Sequence, residues 1–387
     1  MNLPFNAQRL DDLMDEAGVD VVLAVTKFNV QHMLGGYRYF FFANSDAIGL
    51  SRYLPAVVYH KGAPADAFYI GCKNESWGTD VFPLWVPEIR HASWSSADTA
   101  RAVAEGLRRR GLAAAAAIAV EKAFLPADAW DILRAELPEA TFVEAQKLLE
   151  GMRAVKSPDE LDLLRTASEG IIDSMLATFA VVKPGQTQAD IVEQFRREQT
   201  NRGMDFEYCL VSSGLDFNRA PSDRVLHGGD VLSLDSGGMY RGYVGDLSRM
   251  AVAGEPTALM TELLEEMESV QQAARTAIGA GHRGGDVFGV AEKALAECAH
   301  RDEMSFVAHG MGLITHEAPR LTGTAPVPYP GDHADLPLEA GMVLSIESWI
   351  ENAEAGFIKL EDTLIVTNEG WEAPGDTGRG WNRVAAQ

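Results

Sequence analysis

The 387-residue sequence predicts an α+β protein of two domains. An α/β domain covers residues 1–150, and a domain of two pseudo-symmetric halves covers residues 151–387. Three observations predict this. The chain is longer than a single hydrophobic core usually serves. Short apolar runs alternate with helical patterns up to about residue 150, the pattern of an α/β layer. Beyond that point one stretch occurs twice, as GDVLSLDS at Gly229–Ser236 and GMVLSIES at Gly341–Ser348.

In the first domain, residues 5–18 read as a helix and Val21–Val25 as a strand. The segment from Asn29 to Phe42 places five aromatic residues after a glycine pair, which suits core or dimer packing. Strand-like runs recur at Pro55–Tyr59, Ala67–Ile70 and Ile89–Trp94. A helix over Ala97–Arg110 follows, then a strand at Ala115–Val120 and a helix at Ala127–Leu137. The alanine run at 113–117 reads as loop entering that strand, and Trp85 and Trp94 read as packing residues.

The second domain opens with a strong helix start. Ser157 is the N-cap, Pro158 the first helical residue and Glu160 the third, so the cap is reciprocal. This helix runs to about Val182 and stops at Pro184-Gly185; Thr187 caps the next, Gln188–Arg202. Residues 258–278 and 285–299 read as the matching helices of the other half. The repeat extends to their starts, since Lys183–Ile191 and Gly279–Val287 hold Gly and Asp at the same separation.

Chemistry enters through the repeated strands. Val231–Leu234 leads into Asp235, and Tyr243-Val244 leads towards Asp246, with Gly237, Gly238 and Gly242 between them. This reads as a hairpin turning at the glycines, with each strand delivering an aspartate close to its end. Taken alone, two solvated aspartates beside a turn explain it equally well. The second copy decides the matter: Glu347 stands where Asp235 does, and a further apolar run ends in Glu361. Two pseudo-symmetric halves bring four acids to one seam. Four buried carboxylates repel unless about two divalent cations lie among them. His309, in the glycine-spaced stretch Val307–Gly312, supplies an imidazole between the two acid pairs. The set Asp235, Asp246, His309, Glu347 and Glu361 is rich in oxygen, which suits Mn²⁺ first, with Zn²⁺, Co²⁺ or Fe²⁺ as alternatives.

The order Asp, ten residues, Asp, then HGMGLITHEAP, SIE and KLED resembles the creatinase/aminopeptidase P/prolidase family of pita-bread metallohydrolases. RAVKSPDE at Arg153–Glu160 resembles that family's entry into its catalytic domain, and NVQHMLGGY at Asn29–Tyr37 its N-terminal signature. The resemblance implies a creatinase-like N-terminal domain and a pita-bread domain with strands inside and helices outside. It implies two divalent ions among the five ligands, with His309 on one of them. Such ions lower the pKa of a shared water and polarise the bond under attack. Glu347 then doubles as ligand and proton carrier. His316, in Thr315–Pro319, matches a histidine that binds substrate and stabilises the tetrahedral intermediate. The resemblance also implies a homodimer, in which the aromatic segment containing Tyr37 approaches the neighbouring active site. His227, His282, His300 and His333 have no such context and read as surface residues.

Two departures bear on the substrate. Family peptidases carry a histidine after Asn-x-Ala-Pro, whereas Asn218-Arg219-Ala220-Pro221 is followed here by Ser222. A serine cannot act as an imidazolium near neutral pH, which leaves Asn218, Arg219 or water to replace it. Where the peptidases tend to have arginine, Lys359 keeps the charge without the forked geometry. Asn218, Ser222, Lys359 and Tyr37 are accordingly the candidate substrate contacts. The expected function is Xaa-Pro dipeptidase or aminopeptidase P chemistry on an amide bond. The alternative is a hydrolase or lyase acting on a small zwitterion such as ectoine, creatine or a sulfonium acid. A non-catalytic binding module is disfavoured by the intact ligand set.

Composition narrows the partners. A formal charge of −23 speaks against nucleic acid and anionic membranes, which need a basic footprint; the ordinary reading is a solvated acidic surface. The longest apolar runs fall short of the roughly 18 residues of a membrane span. The N-terminus carries acids and lacks the basic region of a secretory signal. Three scattered cysteines, Cys72, Cys209 and Cys298, point to reduced thiols and a cytoplasmic address.

Overall fold

The computed structural model describes residues 3–114, 116–324 and 329–385. The chain divides into two compact units, Met1–Arg153 and Ala154–Gln387.

The first unit begins with α1 (Ala7–Glu16), β1 (Val21–Ala24) and α2 (Lys27–Met33), followed by the short pair β2 (Ala47–Ile48) and β3 (Ser51–Arg52). Then come β4 (Ala56–His60), β5 (Phe68–Cys72), α3 (Ser76–Thr79), β6 (Glu88–Ser93) and α4 (Ser96–Arg109). It closes with β7 (Ala117–Val120), α5 (Ala127–Glu136), β8 (Thr141–Glu144) and α6 (Gln146–Ala154). Six strands form a mixed sheet in the order β6-β5-β4-β1-β7-β8. Side chains along β1 alternate between faces. Val21 and Leu23 pack with α4 and α5, whereas Val22 and Ala24 pack with α1, α2 and α6. This is the expected α/β layer. β8 and α6 went unread because Thr141–Glu144 is a half-exposed strand with little apolar contrast. Of the two tryptophans read as packing residues, Trp85 donates to the Met33 carbonyl at 2.6 Å, but Trp94 is 45% exposed. In the alanine run, residue 115 lies outside the described residues.

The second unit contains α7 (Pro158–Val181), α8 (Gln188–Asn201), β9 (Asp205–Ser213), β10 (Val231–Tyr240) and β11 (Tyr243–Val252). The series then repeats as α9 (Ala258–Arg275), α10 (Asp286–Ala296), β12 (Met304–Gly310), β13 (Val343–Asn352) and β14 (Gly356–Thr367). Two helices followed by three strands, twice over, are the two halves read from the repeat. Both expected capping residues act as caps, Ser157 for α7 and Thr187 for α8. The strands join in the order β12-β13-β14-β11-β10-β9, with β15 (Gly370–Glu372) on β14 and β16 (Asn382–Arg383) on β11. Apolar residues of one sheet face pack beneath α7 and α8 in one half, and beneath α9 and α10 in the other.

The central hairpin corrects the expected turn. β10 and β11 are ten residues each, and the strands reverse only at Arg241 and Gly242, with φ of 52° and 85°. Two successive positive φ values make the tight connection that matches strand twist. Gly237 and Gly238 lie within β10 instead. A Cβ on Gly237 would stand 2.4 Å from the Tyr208 ring, and one on Gly238 would stand 2.8 Å from the Gln199 side-chain amide. Asp235 and Asp246 therefore sit inside their strands rather than at the ends.

Candidate metal centre

Strand alternation decides which side chains meet. In an antiparallel sheet, directly paired residues and residues two apart share a face. Asp235 pairs with Ser248, and Gly237 with Asp246, so both aspartates project from one side. Glu347 pairs directly with Glu361, and Glu361 pairs with Ser248 across the seam. All four acids therefore share that face. His309 joins them, two residues from the Val307 that pairs with Glu347. Lys359, two residues before Glu361, places an ammonium among them as well.

Asp235, Asp246, His309, Lys359 and Glu361 are buried. Tyr208 of β9 donates to Asp246 Oδ1 at 2.7 Å, and Ser345 donates to Glu361 Oε1 at 2.7 Å. His309 Nδ1 lies 3.3 Å from the Gly310 carbonyl. Its Nε2 faces the acids, 3.8 Å from Glu347 Oε1 and 3.9 Å from Glu361 Oε1. Lys359 Nζ lies 2.5 Å from Asp235, 2.7 Å from Glu347 and 2.9 Å from Glu361. Arg219 also donates to Asp235 Oδ2.

The electrostatics follow from this crowding. Burial first, and then the neighbouring Glu361 carboxylate, push the Asp246 pKa well above the carboxylate range. Burial also opposes ionisation of Glu361, but Lys359 and His309 outweigh it and hold its pKa low. Lys359 is driven the other way: burial disfavours its charge, yet Glu347 and Glu361 raise its pKa. It stays an ammonium. His316 stacks on His309 with ring centroids 3.7 Å apart. Burial, then the His309 ring, bring its pKa down to about 3, so at neutral pH it is an uncharged imidazole.

A cavity of about 300 Å³ opens beside this cluster. Its wall includes His309, His316, Glu347, Arg219, Arg320 and Trp349. The Arg320 guanidinium lies 4.0 Å from the Tyr329 ring centroid. Asn218 and Ser222 are spent elsewhere. Asn218 is exposed and accepts from the Ala220 N–H at 2.9 Å. Ser222 donates to Gln188 at the start of α8, at 2.7 Å. Of that segment, Arg219 is the residue in the cavity wall. Tyr37 belongs to the first unit, where it is buried in the core against Tyr69 and Phe82. His333, read as a surface residue, accepts the Arg320 N–H at 3.1 Å and so fixes the segment after Pro319.

Sequence reasoning missed Tyr208 and Arg320. Tyr208 carries no motif, because its role depends on β9 lying beside β10. Arg320 follows HEAP immediately, and a cation next to the presumed substrate histidine was a readable signal.

The donor set tests whether a divalent ion suits the site. Asp246, His309 and Glu361 offer ligand atoms all within 4.8 Å of one another. Nε2 of His309 is buried and makes no hydrogen bond among the described residues. One imidazole nitrogen with carboxylate oxygens fits a divalent transition metal. Asp235 differs, since its Oδ2 already meets two cationic side chains.

Comparison with known proteins agrees with this geometry. The model of metallopeptidase family M24 matches residues 162–368. The uncharacterized peptidase YqhT of Bacillus subtilis strain 168 is 26% identical over 243 residues, covering 61% of this chain and 66% of its own length. An Xaa-Pro dipeptidase of Lactobacillus delbrueckii subsp. lactis is 24% identical over 384 residues, 95% of each chain. In fold, the chain resembles the X-Pro aminopeptidase of Thermotoga maritima MSB8, with a TM-score of 0.78 at 19% identity. That superposition covers 96% of this chain and all of the other.

Proposed function

Because the chain belongs to metallopeptidase family M24, we propose that it is a divalent-metal-dependent Xaa-Pro dipeptidase with its catalytic centre in the second unit. The observation that carries this reading is the single cavity joining the acid–histidine cluster to His316 and Arg320. Its volume lies at the small end of ligand sites, which suits a dipeptide better than a long peptide. Apolar wall residues such as Val307, Leu321 and Trp349 suit a pyrrolidine ring.

Asp246, His309 and Glu361, with Glu347 beside them, would hold the metal. A divalent ion there supplies a Lewis acid and lowers the pKa of water. Mn²⁺ remains the first choice for so many carboxylates. The protein's own groups do the rest. Glu347, in the cavity wall, takes a proton from the attacking water and delivers it to the departing prolyl nitrogen. Neutral His316 donates a hydrogen bond to the developing oxyanion. Arg320 holds the free carboxylate of the C-terminal residue by charge-assisted hydrogen bonds, which favours dipeptides over longer chains.

The zwitterion hydrolase or lyase reading rested on the histidine replaced at Ser222. Ser222 hydrogen-bonds the Gln188 side chain instead, and the relatives bear the names of peptidases, so that alternative is not favoured. Phe40, Phe41, Trp77 and Val81 of the first unit are large apolar side chains left exposed, which supports a homodimer that would cover them. Among the described residues, no helix is long and apolar enough to cross a membrane. Three buried free cysteines support a cytoplasmic address.

The test is proline release from a panel of Xaa-Pro dipeptides by protein shown to carry Mn²⁺. Release establishes the dipeptidase. Its absence from metal-loaded protein would overturn the assignment and return attention to small zwitterions.

A further inference from the structure

We infer that the Lys359 ammonium, with Arg219 beside it, occupies the place of one of the two divalent ions expected from the sequence, leaving a centre for a single ion at Asp246, His309 and Glu361. This rests on the reading above that the cluster binds divalent metal.

Four observations converge. Lys359 Nζ sits within 2.5–2.9 Å of three different carboxylates, on Asp235, Glu347 and Glu361. That is a bridging position of the kind a cation between acids would take. The side chain is fixed there: it is buried, and its strand neighbour two positions on is Glu361 itself. Second, Asp235 is also bound by Arg219, so its Oδ2 meets two cationic side chains at once. The Arg219 guanidinium is itself held 4.9 Å from the ring centroid of Phe357, which lies two residues before Lys359 and four before Glu361 on β14. Third, the three atoms that do converge within 4.8 Å come from Asp246, His309 and Glu361, and Asp235 is outside that group. Fourth, the charges close. Asp235, Asp246, Glu347 and Glu361 carry four negative charges when ionised; Lys359 and Arg219 supply two positive charges, and one divalent ion supplies the other two. A second divalent ion would leave the centre with excess positive charge and set it against a buried ammonium, a like-charge contact in a low-dielectric site.

The two departures noted in the sequence thereby acquire one cause. The segment Asn218–Ser222 delivers Arg219 rather than an imidazole to the centre, and β14 delivers a lysine whose compact ammonium fits between three carboxylates. A forked guanidinium is larger and would prefer to grip one of them.

Counting the metal tests this. Full-length protein is saturated with Mn²⁺, freed of excess, and analysed by elemental analysis and electron paramagnetic resonance. The expected result is one Mn²⁺ per chain with the six-line spectrum of an isolated ion. Two ions per chain with an exchange-coupled spectrum would overturn the inference while leaving the metallopeptidase reading intact. No bound ion, and none on titration, would instead defeat that reading and the inference with it. Lys359→Met removes the ammonium at similar length and should raise the count to two. A folded Lys359→Met protein, verified by circular dichroism, that still holds one ion would show that Lys359 does not exclude the second. If that variant does not fold, the wild-type count alone decides.

Discussion

If Arg320 holds the substrate carboxylate, replacing it with methionine should leave a peptidase that no longer distinguishes an acid from an amide. Arg320 lies in the cavity wall with its guanidinium over Tyr329, and methionine keeps most of the stem while removing the charge. A hydrogen bond to a charged group is worth about 1.5–3 kcal/mol. At about 1.4 kcal/mol per factor of ten, kcat/KM for an Xaa-Pro dipeptide should fall roughly 10- to 100-fold. The carboxylate does not change charge during the reaction, so the contact is equally strong before and during bond breaking. The loss should therefore appear in KM with kcat nearly unchanged. The assay compares each Xaa-Pro dipeptide with its C-terminal amide. Wild type should prefer the free acid, and Arg320→Met should treat the two alike. An unaltered preference in the variant, or an equal loss on both substrates, would refute the role given to Arg320.

Other outcomes follow from the same geometry. Asp246→Ala or Glu361→Ala removes one of three converging ligands and should abolish metal binding and turnover together; wild-type activity in either variant would sink the site. Tyr208→Phe deletes the hydrogen bond to Asp246. It should weaken metal affinity about 10- to 100-fold, the usual range for such supporting groups, as read by competition with a chelator. Asp362→Ala tests the opposite face of the sheet, where Asp362 meets Arg249, Arg275 and Arg379. Breaking a buried pair from one side should cost about 3–5 kcal/mol in urea unfolding. Burial opposes the Asp362 charge, but Arg249, Arg379 and Arg275 outweigh it and hold its pKa below the usual range. Its contribution is therefore present above the unfolded carboxylate pKa, about 3.9, and is lost as pH falls through the lower folded value. The stability gap between wild type and variant should narrow below about pH 4; a constant gap would contradict the pairing.

The strands and acids were legible because their signals are local. Helix caps at Ser157 and Thr187 announce themselves by residue type and spacing, and both were found in place. The extent of the hairpin was misread at Gly237 and Gly238. Glycine usually marks a turn, but here it makes room for Tyr208 on the next strand. Trp94 and His333 were misjudged for a related reason: an aromatic or polar side chain takes its role from neighbours far away in sequence.

What the sequence determined by itself was the duplicated pattern, the identities of the acids and histidine, and the α+β division of the chain. Period-two alternation and internal repetition survive folding unchanged, so they can be read in one dimension. What only the tertiary structure decided was the company those residues keep. Lys359 was identified as a substrate contact, yet strand register sets its ammonium among three carboxylates. Ser222 was offered as the position of a missing imidazole, yet it hydrogen-bonds Gln188 while Arg219 reaches Asp235. Charge compensation acts over a few ångströms between residues more than a hundred positions apart, as Lys359 and Asp235 are, and only the fold brings those distances into range.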